Sequence, residues 1–233
     1  MMAAKRLKIK KERRHRPMSS GVDCGYNLGQ IFNNQISILK ERGVPEQIIE
    51  RFNRQREAVI RKAGEMDIGE KRIPFLPVIR LAYSGYSSLL GINSLMWAMS
   101  MVRNGNKKGY CRIEPSTIIN KVRVPDGYYY IYGVRIEEGY RITKTIDSEP
   151  SSPLTLTEAI SLCIVTDVFS WYDLCIVGSF SKFIPLSRYR FARMAPIICL
   201  GRDGRPQLDW MPAGSLSHFH WGRFGIPFCS SRS

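Results

Sequence analysis

Between Arg80 and Arg103 the chain runs for 22 residues, Leu81 to Val102, without one charged side chain. A helix of that length spans a hydrocarbon layer of roughly 30 Å. The run therefore forces a choice between a membrane segment and a deeply packed helix. Ser84, Ser87, Ser88, Asn93, Ser94 and Ser100 interrupt it, while Leu89, Ile92, Met96 and Met99 recur at helical spacing. That pattern predicts a buried or half-buried helix and no membrane span.

A helix of this kind needs partners, and the flanking sequence supplies them. Leu28, Ile31, Phe32, Ile36 and Leu39 mark one face of a first helix, and Gly43 fits the position after its end. Pro45 suits the first turn of a second helix, whose apolar face runs through Ile48, Ile49, Phe52, Val59, Ile60 and Ala63 to Gly64. Arg51, Arg54, Arg61 and Lys62 read as its solvated side. From Ile73 to Arg80 the signal changes, because Pro74 and Pro77 forbid a helix interior and admit at most an edge strand.

Further on, Asn104-Gly105-Asn106 is a turn signal. Lys108–Ile113 and Tyr128–Ile136 read as strands separated by Pro125-Asp126-Gly127. On a strand Tyr128, Tyr130 and Tyr132 share one face and Tyr129 takes the other. Core packing accounts for such a tyrosine face more readily than base stacking does. Thr155-Leu156-Thr157-Glu158 is a capping box, followed by Leu156, Ala159, Ile160, Cys163 and Ile164 as an apolar face, so a helix over about 156–166 is predicted. Ile197–Leu200, a Gly201-Arg202-Asp203-Gly204 turn and Gln207–Met211 form a hairpin signal. The expected fold class is α+β: an N-terminal helical hairpin (26–64) packed on a mostly antiparallel sheet, with one or two further helices. Residues 26–233 are expected to form one domain behind a disordered basic arm, 1–25.

Composition matters chiefly through charge. The 233 residues carry a formal net charge of +15, and it is unevenly placed. Residues 1–16 hold eight Lys/Arg against one Glu, residues 180–233 hold eight against two Asp, and the centre is close to neutral. Basic ends of this kind favour polyanions through counterion release. Six cysteines are spread without a C-x-x-C pair, and the basic start is followed by no apolar run. Reduced thiols, a cytoplasmic location and no secretory signal are therefore expected.

The order of several short motifs is also familiar. Gly43-Val44-Pro45, then Ile73-Pro74-Phe75-Leu76-Pro77-Val78-Ile79, Met101-Val102-Arg103-Asn104-Gly105, Gly109-Tyr110, Ser152-Pro153-Leu154-Thr155, Arg205-Pro206-Gln207-Leu208 and His220-Trp221-Gly222 to Cys229 follow one another. In that order they resemble an uncharacterised bacterial family, a domain of unknown function of about this length, over residues 27–232. The resemblance implies a bacterial cytosolic protein with no assigned activity, so it brings no catalytic residues with it. The ending here, Arg223 to Cys229, is longer and bulkier than the family's.

Chemistry-bearing side chains are densest near the C-terminal end. His218 and His220 would share one side of a strand, and Cys229 follows nine residues later. A thiol with two imidazoles suits zinc ligation, a Cys–His nucleophile, or simple packing over a hairpin. Zinc lacks a fourth ligand beyond Asp209 or Cys199, and no helix start follows Cys229 to supply an oxyanion hole. Phosphate-loop, zincin and serine-hydrolase motifs are absent, and no cofactor is expected. The leading expectation is a non-enzymatic module binding RNA, DNA or a ribonucleoprotein. Its expected contacts are Lys5, Arg6, Lys8, Lys10, Lys11, Arg13, Arg14 and Arg16, with Arg188, Arg190 and Arg193. The alternatives are a group-transfer or hydrolytic enzyme using Cys229 with His218 or His220, and a zinc-stabilised interaction domain.

Overall fold

The computed structural model describes residues 27–68, 72–79, 94–114, 118–125, 127–138, 152–170, 172–181, 194–212 and 224–233. The basic arm, most of the uncharged run, the 188–193 arginines and both C-terminal histidines lie outside them.

The chain opens with helix α1 (Leu28–Glu41), capped by the Asn27 side chain on the Gln30 N–H. Phe32, Gln35, Ile36 and Leu39 are its buried face, close to the stripe expected from spacing. Gly43 takes a φ of 85° after the helix end, and Pro45 caps the next helix. The second helix of the expected pair is two helices. The chain breaks at Gln55 into α2 (Glu46–Arg54) and α3 (Arg56–Glu65). Both still bury the expected residues, namely Ile49 and Phe52, then Val59 and Ala63.

A mostly antiparallel sheet forms the body, which makes the class α+β. Its strands are β1 (Ile73–Val78), β4 (Tyr110–Cys111), β6 (Tyr129–Glu138), β8 (Asp173–Cys175), β10 (Met194–Leu200), β11 (Pro206–Pro212) and β12 (Phe224–Cys229). They lie in the order β1-β6-β12-β8-β10-β11-β4, with β7 (Ser152–Pro153) on β12 and β13 (Ser231–Arg232) on β6. The two-proline strand β1 ends the order, where a missing N–H costs least. The β10–β11 hairpin is present as expected, from Met194↔Pro212 to Leu200↔Pro206. The Lys108–Ile113 strand is shorter than expected. It splits into β3 (Lys107–Lys108), paired with β2 (Arg103–Asn104), and β4, which pairs in parallel with β11. A small separate ladder joins β5 (Ile118–Asn120) to β9 (Ser179–Ser181).

Side-chain alternation on β6 sets the layers. Tyr128, just before the strand, and Tyr130 on it meet Phe52 edge-on, with centroids 5.8 and 5.5 Å away, and Phe32 stacks on Tyr130 at 6.1 Å. The N-terminal helices thus cover the even-numbered tyrosines, which are core and not a stacking platform. Tyr129 turns the other way and donates to Glu158. Midway, Gly133 has a φ of 59°, and a Cβ there would meet Ser230 Oγ at 2.5 Å. Only glycine lets β6 bend there, where its neighbour changes from β13 to β12.

Helix α5 (Leu156–Val165) is buried at every one of its residues. A helix buried on every face sits inside the fold, and its polar residues Thr157, Glu158 and Ser161 are buried with the rest. The capping box is formed, and Ser179 Oγ accepts from the Leu156 N–H at 2.9 Å, so its first turn is satisfied internally. Of the uncharged run, Ser94–Met101 is helix α4. Its inward residues are Leu95, Ala98, Met99 and Met101, whereas Met96 is 55% exposed, which corrects the expected stripe. Among the described residues no helix is long and apolar enough to cross a membrane.

Candidate nucleic-acid interface

Cys229 sits at the end of β12, fully buried. Burial pushes its thiol up to about 12, against a smaller opposing pull from Arg232. A nucleophilic cysteine needs the reverse, a thiolate favoured at neutral pH and open to substrate. Cys175 is likewise held at about 12 by burial, and Cys163 is raised as well. The stability these protonated thiols contribute is fully present below their ordinary value of 9.0 and is lost as pH rises through about 12. In the folded protein at pH 8, Cys229 is therefore expected to react with an aromatic disulfide reagent no faster than Cys163 or Cys175. Mass-spectrometric mapping of the label checks this, and selective modification of Cys229 would revive the thiol chemistry. Among the described residues no group of three His, Cys, Asp or Glu side chains is placed to hold a metal ion. His218 and His220 are not among those residues.

Next to Cys229 lies a buried polar network. Glu158, with no exposed surface, receives Arg232 Nε at 2.7 Å on Oε1 and Arg232 Nη2 at 3.0 Å on Oε2. The Tyr129 hydroxyl donates to Oε1 at 3.0 Å, and the Thr155 N–H and hydroxyl donate to Oε2 at 2.7 and 3.0 Å. Arg232 also donates to the Pro153 carbonyl at 2.8 Å. Burial alone would lower the Arg232 pKa, but hydrogen bonds and charge from Glu158 outweigh it and the net shift is upward. A carboxylate with both oxygens occupied has no free lone pair for a substrate proton. This network ties β13 and β6 to the start of α5, and its role is structural.

One cluster of basic groups lies elsewhere, at the β4 end of the sheet. The β2–β3 hairpin and the turn between β10 and β11 dock on each other. Asn104 Nδ2 donates to the Gly204 carbonyl at 2.9 Å, Lys107 Nζ to the Asp203 carbonyl, and Arg205 Nε to the Lys108 carbonyl at 3.1 Å. Docking brings Arg103, Lys107, Lys108 and Arg112 together with Arg202 and Arg205, against Asp203 and Asp209 in the same two segments. Lys107, Lys108, Arg112, Arg202 and Arg205 are exposed. At the end of α1, burial and then the charge of Arg103 hold the Arg42 guanidinium below its ordinary pKa.

The β4–β11 register orders this surface. Gln207 lies opposite Tyr110 and Leu208 opposite Cys111. By alternation, Arg205, Gln207 and Asp209 share one face with Tyr110 and Arg112, while Leu208 points into the core. The Tyr110 hydroxyl donates to Gln207 Oε1 at 2.6 Å. The Arg205 guanidinium lies 4.9 Å from the Tyr110 ring centroid and that of Arg112 lies 5.5 Å away.

None of these patch residues was among the contacts expected from sequence. The signal available was local, a Lys107-Lys108 pair beside a turn and an Arg-x-x-Arg turn about a hundred positions later. Their convergence depends on a parallel pairing that no spacing rule reveals. Comparison with protein-family models, curated proteins and solved structures returns no match. Function is therefore read from this chain's own surface.

Proposed function

We propose that the protein is a non-enzymatic module that binds nucleic acid, alone or within a ribonucleoprotein, through its basic surface. The observation that carries this is the convergence of the exposed Lys107, Lys108, Arg112, Arg202 and Arg205 at one end of the sheet, in a chain of net charge +15. Clustered cations on a rigid scaffold replace counterions at phosphates, and their release drives association. The Lys5–Arg16 arm and Arg188, Arg190 and Arg193 would add contacts of the same kind. The likeness to an uncharacterised bacterial family brings no activity, so nothing in this reading depends on it. The buried, protonated Cys229 favours binding over thiol catalysis.

The test is equilibrium binding of the full chain to labelled single- and double-stranded DNA and RNA by fluorescence anisotropy near physiological salt. Saturable binding tighter than about 10⁻⁶ M, the tight end of ordinary non-specific association, is the expected result. Failure to bind any of the four would end the proposal.

A further inference from the structure

We infer that the Arg205–Tyr110–Arg112 row is a clamp for the phosphodiester backbone, one that grips phosphates and does not read bases. This rests on the nucleic-acid reading above and names what one part of that surface touches. In the register, Arg205 lies two positions before Gln207, which is paired with Tyr110, and Arg112 lies two positions after Tyr110. The two guanidiniums therefore approach the ring from its two ends along the strand direction, at 4.9 and 5.5 Å. Cations so placed are held by the ring's electron-rich face. Cations over the ring compete with a nucleobase for the aromatic surface it would stack on.

What remains free is donor capacity. Arg205 uses Nε on the Lys108 carbonyl and is exposed. Arg112 makes one long contact, Nη1 to Asp209 Oδ2 at 3.4 Å, with 56% of its side chain exposed. A planar fork whose orientation is already fixed matches two phosphate oxygens. Lys107 and Lys108, exposed on the docked hairpin beside Arg205, extend the same positive edge. An anionic membrane is the competing polyanion, but surface insertion needs apolar side chains among the cations. The described large apolar residues that are exposed are Met96 and Ile119, and neither belongs to the row.

Asp209 supplies a test in the opposite direction. Its carboxylate holds Arg112 from the side and repels an incoming phosphate, while Oδ1 accepts from the Trp210 N–H at 2.8 Å. Asp209→Asn keeps an acceptor for that bond and removes the charge.

The experiment measures affinity of the full-length protein for duplex and single-stranded DNA across a salt series, with Arg112→Gln, Arg205→Gln, Tyr110→Leu, Tyr110→Phe and Asp209→Asn. Thermal melts confirm folding. Arg112→Gln, which gives up only the 3.4 Å contact to Asp209 and the ring contact to Tyr110, keeps the test open if an Arg205 variant unfolds. Each Arg→Gln change is expected to flatten the log K against log salt slope by about 1, equally for all base compositions. Tyr110→Leu is expected to weaken binding several-fold at unchanged charge, Tyr110→Phe to restore it, and Asp209→Asn to tighten it. If the unaltered protein binds with steep salt dependence and the Arg variants match it, the clamp is refuted while nucleic-acid binding stands. No binding by the unaltered protein overturns both. Tighter binding to phosphatidylserine vesicles than to either DNA would assign the surface to a membrane and overturn the clamp.

Discussion

Replacing Arg232 with methionine is expected to lower the stability of the fold by about 3–5 kcal/mol, the usual cost of removing one partner from a buried ion pair. Glu158 is wholly buried, and Arg232 meets it through two nitrogens with only 11% of its side chain exposed. Without the guanidinium a carboxylate stays in the core with hydroxyl and amide donors alone, and the Pro153 carbonyl loses its donor. Urea denaturation checks this: the midpoint should fall with little change in slope. The double variant Glu158→Gln with Arg232→Met should recover part of the loss, because neutral groups tolerate burial better than a lone charge. A loss under about 1 kcal/mol, the range of a solvated surface pair, would show that water reaches the network.

The second large effect is expected at Phe52. Phe52→Ala should cost about 3–5 kcal/mol, the range for emptying an aromatic site in a packed core. Phe52 is fully buried and meets Tyr128 and Tyr130 edge-on at interplanar angles of 83° and 76°. Through it α2 reaches Tyr130 on the sheet. Its truncation opens a cavity and removes two favourable ring pairings. Unfolding followed by tryptophan fluorescence and by far-ultraviolet circular dichroism should move together, since helices and sheet share one core. A separate early loss of helix signal, or a cost below about 1 kcal/mol, would mean that α1–α3 are only loosely attached.

Much of this architecture is legible in local sequence chemistry. The capping box at Thr155 and Glu158, the Gly43 helix end, the tyrosine alternation on β6 and the hairpin around Gly201–Gly204 all depend on residues within a few positions of each other. Their physics is local, so spacing predicts them. Other features depend on distant partners. The break at Gln55 shows no Gly or Pro in sequence, and Gln55 Nε2 there donates to the Tyr128 carbonyl across 73 positions. Glu158 looks like an ordinary cap until Arg232 arrives from 74 residues away. The apolar face of α4 is hard to place by spacing, because Leu95 to Met99 are five apolar residues in a row and periodicity fades where no polar residue marks the outer side.

The candidate surface divides in the same way. Charge at the ends of the chain is visible from composition, and it points to the Lys5–Arg16 arm and to Arg188, Arg190 and Arg193. Spacing does not disclose the Lys107, Lys108, Arg112 and Arg205 cluster, because a parallel pairing of two-residue β4 with β11 joins a basic segment, 103–112, to one whose charges balance, 201–209. Cys229 is a reactive residue type, yet it is buried in the strand that carries it. Side-chain chemistry named the residue, and burial decided what the residue can do.

The most direct test of nucleic-acid binding is the salt dependence of the full chain on a random-sequence DNA duplex. Five exposed patch cations, Lys107, Lys108, Arg112, Arg202 and Arg205, acting on phosphates predict that log K falls linearly with log salt. The expected slope is about −4 or steeper, at roughly −0.9 per phosphate neutralised. A slope near zero, or no measurable binding at low salt, would contradict a phosphate-binding role for this protein.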